Sequence, residues 1–147
     1  MIPTSKIEAI LGRSRNGRWV RHPDTYLGKL QMARALLTRE NWIQGAYAVD
    51  RQGRELKTAR TKQAVKFCML GATENVSADY QQYWLLKSLL AAAADVPVGD
   101  LSKLNDSKPA PKVEEKDTGK EHPDLAYALV LAIYDVAIKS LQLLVTE

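Results

Sequence analysis

Apolar residues recur at helical spacing along most of this chain. Ile7, Ile10 and Leu11 share one side of a short segment that Ser5 and Glu8 would open as a capping box and Gly12 would close. Tyr26, Leu30, Ala33 and Leu37 form a second stripe, opposite Lys29, Arg34 and Arg39. Pro23 and Asp24 suit its first turn, and the spacing predicts a helix to Arg39 or Glu40. A third stripe, Tyr83, Leu86, Leu90 and Ala93 with Trp84 beside it, predicts a helix capped by Ser77 and ended near Ala94, before Pro97. Val98 to Leu104 adds one more helical turn or two. The stretch from Pro123 to about Val145 is apolar on nearly every side, with one narrow polar line of Asp124, Asp135, Lys139, Gln142 and Thr146. Asp135 and Lys139 stand one turn apart and are expected to pair.

Between the second and third stripes the period changes. Trp42 to Val49 alternates with weak contrast and predicts a strand. Asp50, Arg51, Gln52 and Gly53 supply a tight turn, and Arg54 to Lys57 the return of a hairpin. Thr58 is then expected to cap a helix carrying Ala64, Phe67, Cys68, Gly71 and Ala72 on one face. Gly71 in that stripe points either to close approach of another backbone or to an early helix end.

These elements predict a mainly α fold: a compact helical domain of about five helices with one small β-hairpin and a long apolar C-terminal helix. Residues 1–104 form the helical domain, with the hairpin near 42–57. The Asp, Ser, Lys, Pro and Glu content of 105–121 reads as a linker, and 122–147 as a helix packing on the same domain or on a partner subunit. A chain of 147 residues can bury a core without disulfides. Its single cysteine, Cys68, suits a reducing compartment, and Pro3, Lys6 and Glu8 interrupt any apolar leader, so a cytoplasmic location is expected. The last helix is long enough to span a membrane, but Asp135 and Lys139 oppose that, and no membrane partner is expected. It is expected to be a core helix or a subunit interface, with a homodimer by helix exchange as one form of the latter.

Charge changes the picture most. Residues 1–66 hold fourteen Lys and Arg against five Asp and Glu, and the remainder seven against twelve. Such a chain either presents a basic surface to an anionic partner or folds its halves against one another. The densest segment is Arg13, Arg15, Arg18, Trp19 and Arg21, punctuated by the turn signal Asn16-Gly17. It could clamp phosphates and stack a base, or form a solvated loop with Trp19 in the core. Lys57, Arg60 and Lys62 make a second candidate strip.

Candidate chemistry adds little. His22 and His122 each precede Pro-Asp at a helix start, and with Cys68 they lack metal-ligand spacing. No Walker loop, Gly-x-Gly-x-x-Gly or Gly-x-Ser-x-Gly is present. Cys68 lies on an apolar face, and Glu114 and Glu115 fall in the linker. No catalytic residue, cofactor or metal is therefore expected. Asn105-Asp106 reads as a helix-ending turn or a site.

Trp42 to Ala46, the turn ending at Gly53, the run Phe67 to Ala72 with its aromatic-Cys-x-x-Gly-Ala pattern, and Leu104-Asn105-Asp106 together resemble a family of small bacterial and phage proteins of unknown function. The resemblance covers about residues 24–106. It departs at Asn41, where the family usually has Gly, and leaves the helix after Pro123 as an addition. It implies a fold and no activity. The function expected is that of a non-enzymatic binding protein, a bacterial or phage accessory, engaging nucleic acid or a nucleotide through its basic N-terminal half. The alternative is a protein–protein effector, such as a phage inhibitor of a host or defence complex.

Overall fold

The long apolar stretch becomes α6 (Pro123–Val145), the helix on which the others pack. The computed structural model describes residues 1–107 and 123–146. On α6, Ala126, Val130, Ile133, Tyr134, Ala137 and Leu141 recur every three or four positions and are all buried, which accounts for a composition too apolar for a surface helix. This side meets α2 (Pro23–Leu36), α4 (Tyr80–Ala94) and α5 (Leu101–Asn105), while α1 (Thr4–Leu11) packs on α4 and α3 (Met69–Val76) on α2. A 3-10 turn, Val98–Asp100, precedes α5. Six α-helices are thus formed among the described residues, with one small two-stranded sheet and a long apolar C-terminal helix.

Polar contacts pin α6 in register. The fully buried Tyr134 hydroxyl lies 2.6 Å from Thr73 Oγ1 and 2.8 Å from the Met69 carbonyl, and burial pushes its pKa up. Tyr127 donates to the Leu37 carbonyl at 2.7 Å. The expected Asp135–Lys139 pair gives way to a tertiary one. Arg34 of α2 reaches Asp135 with Nε at 2.6 Å and Nη2 at 3.2 Å, because a guanidinium fork matches a carboxylate better than one ammonium does.

The helix stripes settle as their spacing predicts, but their caps differ. Tyr26, Leu30, Ala33 and Leu37 are buried, though α2 stops at Leu36 rather than at Arg39 or Glu40. The Ser5–Glu8 capping box is not made, and α1 starts at Thr4 behind Pro3 with no side-chain cap. Asp79, not Ser77, caps α4 by accepting from Gln82 N at 2.8 Å, while Ser77 donates to the Thr73 carbonyl.

The segment from Trp42 to Ala72 differs most. The Asp50–Gly53 turn forms, and its return meets the outgoing chain at Val49↔Glu55 and through Leu56 N to the Ala48 carbonyl. The ladder partner of β1 (Ala48–Val49), however, is β2 (Lys66–Phe67), antiparallel, with Ala48 opposite Phe67. No helix starts at Thr58. The Thr58 and Thr61 hydroxyls accept from Arg60 N and Gln63 N, local bonds that compete with helix formation. The helix opens eleven residues later, where the Cys68 sulfur accepts from Gly71 N.

Gly71 marks a close approach and not an end, since α3 continues to Val76. A Cβ there would lie 1.8 Å from the Tyr47 carbonyl oxygen. Asn105 and Asp106, assigned by composition to the start of a linker, belong to the folded body: Asn105 is buried and ends α5. Residues 108–121 of that linker, with Glu114 and Glu115, and His122 after it lie outside the described residues.

Candidate polyanion-binding surface

Asn16 and Gly17 make the turn their sequence predicts, with Gly17 at φ +84°, a conformation disfavoured for side-chain-bearing residues. Ser14 N bonds the Arg18 carbonyl at 2.7 Å, Arg13 and Trp19 pair antiparallel, and Val20 N bonds the Gly12 carbonyl at 2.7 Å. The Ser14 and Asn16 side chains bond across the turn. Residues 12–21 therefore form a minimal hairpin whose arginines differ in fate. Arg13 turns inward: its Nε donates to the Gly17 carbonyl, its guanidinium sits 4.8 Å above the Trp19 ring, and Glu8 lies 3.8 Å from it. Trp19 packs against the core, the second of the two places its sequence allowed. Arg15, Arg18 and Arg21 make no ion pair or side-chain hydrogen bond among the described residues.

The second strip is held by its backbone. Ala59 is fully buried; its N–H donates to Glu74 Oε1 at 2.6 Å and its carbonyl accepts from Asn75 Nδ2 at 2.8 Å. Arg60 spends one nitrogen on the Ala78 carbonyl at 2.7 Å. Lys57 and Lys62 are exposed and carry no ion pair among the described residues. Of the first group, only Arg21 acts on the surroundings of Tyr26, which Asp79 at the start of α4 also influences. Burial raises the Tyr26 hydroxyl pKa, the Arg21 charge opposes that and Asp79 adds to it; Asp79 follows Ala78, the residue Arg60 holds. Arg15 and Arg18 lie at the hairpin tip.

On α4, which begins just after the Ala78 carbonyl that Arg60 holds, are three residues to which the sequence alone assigned no function: Tyr80, Trp84 and Lys87. Tyr80 and Trp84 are 64% and 42% exposed. Their rings meet edge to face at 6.5 Å, and Lys87 Nζ lies 4.1 Å from the Trp84 ring centroid and 4.3 Å from that of Tyr83. The available signal was two aromatics one turn apart, with a lysine three residues further, flanking rather than joining the buried stripe.

A separate cleft of about 350 Å³ is walled by Gly45, Tyr47, Glu55, Cys68, Ser102 and Asp106. Its back is built by the buried Asn105. Asn105 Oδ1 accepts from Trp42 Nε1 at 2.8 Å and Met69 N at 2.9 Å, and its Nδ2 donates to the Ile43 carbonyl and to Asp106 Oδ1. Asp106 Oδ1 also takes Gly45 N at 3.1 Å, and Gln44 donates to the Asn105 carbonyl. Asn105-Asp106 thus clamps Trp42–Gly45 against α3. Cys68 in the wall has its pKa pushed up to about 11, chiefly by burial, so its thiol is protonated at neutral pH and a poor nucleophile. Among the described residues no group of three His, Cys, Asp or Glu is placed to hold a metal ion.

Neither the curated proteins nor the solved structures offer a match to this chain. A family profile does, and it extends beyond the segment that carries the sequence resemblance, taking in most of α6, which is therefore part of the common domain and not an addition. Over residues 21–139 the chain matches DUF6197, and it belongs to that family of unknown function.

Proposed function

We propose that this protein is a non-enzymatic binding protein whose basic N-terminal half engages an anionic partner, a nucleic acid or nucleotide. The observation that carries this reading is that five cations of the two candidate strips, Arg15, Arg18, Arg21, Lys57 and Lys62, make no ion pair among the described residues, as is also true of Lys6, Lys29, Arg51 and Lys66 in the same half. Other basic side chains are committed to the fold, Arg34 to Asp135 and Arg54 to Asp50. A surface of unpaired cations raises the local concentration of polyanions and speeds their association.

The test is a fluorescence anisotropy titration of a labelled oligonucleotide at increasing salt. The dissociation constant should rise linearly on a log–log plot, with a slope of about 2 to 3 if three or four phosphates are neutralised on a single strand. The R15E/R18E/R21E variant should lose binding while staying folded, since none of the three side chains makes an ion pair or hydrogen bond among the described residues. No binding of the wild-type chain at low salt overturns the reading.

A second reading has its own observation. The outward side of α6 exposes Leu125, Leu129 and Leu143, which suits a protein partner for an effector. One stoichiometric protein recovered from lysate after nuclease treatment would favour it.

A further inference from the structure

We infer that the anionic partner is a single-stranded nucleic acid and that Tyr80 and Trp84 form the surface on which its bases stack. The inference rests on the basic-surface reading above and adds a residue-level claim to it. Of the three tryptophans, Trp19 and Trp42 pack against the core and Trp42 also donates to Asn105. Trp84 does neither, and nor does Tyr80 join the core. Two large rings left in water, one helical turn apart and edge to face, form an apolar step that the fold does not use.

The start of α4, which carries that step, adjoins the basic strip. Glu74 joins them: its carboxylate accepts from Ala59 N and Thr58 Oγ1 of the strip, and its charge acts on Tyr83 and Lys87 of α4. Arg60 holds the carbonyl of Ala78, two residues before Tyr80. An open groove of about 920 Å³, with Arg60, Lys62, Asn41 and Asn75 in its walls, extends to Ala78 at the foot of α4. Lys87 lies over one face of the Trp84 ring, so it places a positive charge at the step and confines stacking on Trp84 to its other face. Cations along a groove that ends at Ala78, with two exposed aromatic residues on the helix that follows, suit a chain of phosphates whose bases are splayed out. A duplex hides the faces of its bases and would leave the rings unused.

The experiment uses the full chain and three probes: a labelled oligothymidylate of about fifteen nucleotides, the corresponding duplex, and heparin. The single strand should bind about tenfold or more tightly than the duplex, with quenching of tryptophan fluorescence. Trp84→Ala should weaken single-strand binding by about 5- to 150-fold, the range for loss of one stacked base, and Trp84→Phe should recover most of it. Tyr80→Ala should act in the same direction. Heparin binding should be unchanged by either alanine variant and lost in R15E/R18E/R21E. Both side chains are largely outside the core, so circular dichroism should show each variant folded. Single-strand affinity unchanged in folded Trp84→Ala and Tyr80→Ala, or equal affinity for the duplex, overturns the stacking claim while leaving the basic surface intact. Absence of binding to all three probes overturns both.

Discussion

Asn105→Ala is expected to destabilise the fold by about 3–5 kcal/mol, because it strands several buried polar groups at once. Trp42 Nε1 and Met69 N would lose their acceptor, and the Ile43 carbonyl its donor. Asn105 is itself 1% exposed, so water cannot readily replace the missing amide. At this chain length the melting temperature should fall by roughly 10 °C. Asn105→Asp refines the point. It keeps the shape and the Oδ1 acceptor, but it cannot donate to Ile43 when ionised and sets a second carboxylate against Asp106. It should therefore also be destabilised, and more so at neutral pH than near pH 4, where a protonated carboxyl regains a donor. A change in melting temperature of under about 2 °C for Asn105→Ala would show that the amide clamps nothing of consequence.

Gly71→Ala is the second substitution with a large expected effect. The added Cβ would sit 1.8 Å from the Tyr47 carbonyl oxygen and 2.7 Å from its carbonyl carbon, both backbone atoms. No rotamer change relieves that contact. The same carbonyl accepts from Cys68 N at 3.1 Å, so moving it away also strains the cap of α3. The expected cost is about 3 kcal/mol or more, at the upper end for overpacking. Gly28 supplies the internal comparison. It lies within α2, and a methyl group added there would meet nothing within 4 Å, so Gly28→Ala should stabilise by about 0.5–1 kcal/mol through helix propensity. Denaturant melts of the two variants should move in opposite directions. A neutral Gly71→Ala would mean that the strand segment slides freely over α3.

The helices were legible where the apolar period was long and unbroken. Tyr26 to Leu37, Tyr83 to Leu90 and Val130 to Leu141 each repeat their stripe over several turns, and all three stripes are buried. The region from Trp42 to Ala72 was not legible, because long-range partners decide it. Ala48 pairs with Phe67, nineteen positions away, and Ala59 is held by Glu74 and Asn75. Thr58 has the chemistry of an N-cap, yet its hydroxyl donates to Glu74 and accepts from Arg60 N in a local turn instead. Cap positions are equally local in signal and equally easy to misplace: Ser77 and Asp79 are two residues apart and both suit the role. The role of Asn105 was hidden for the same reason, since its partners Trp42 and Met69 lie 63 and 36 positions away.

The candidate surface was legible in part. Charge density pointed to residues 13–21 and 57–62, but composition could not tell the committed cations from the uncommitted ones. Arg13 and Trp19 cover one another, and Arg60 is partly spent on Ala78. Trp84 was read only as flanking the stripe and Tyr80 was not singled out, because an aromatic beside a buried stripe usually joins it; the packing leaves both partly exposed and outside the core cluster.

The central claim is that the uncommitted cations and the neighbouring aromatic step form the recognition surface. Chemical-shift mapping of the isotope-labelled full chain during titration with an oligothymidylate at low salt tests it most directly. The account predicts the largest amide and indole shifts in residues 14–21, 57–62 and 80–87, disappearing as salt is raised. Shifts confined to the outward side of α6, or none at all at saturating oligonucleotide, would contradict it.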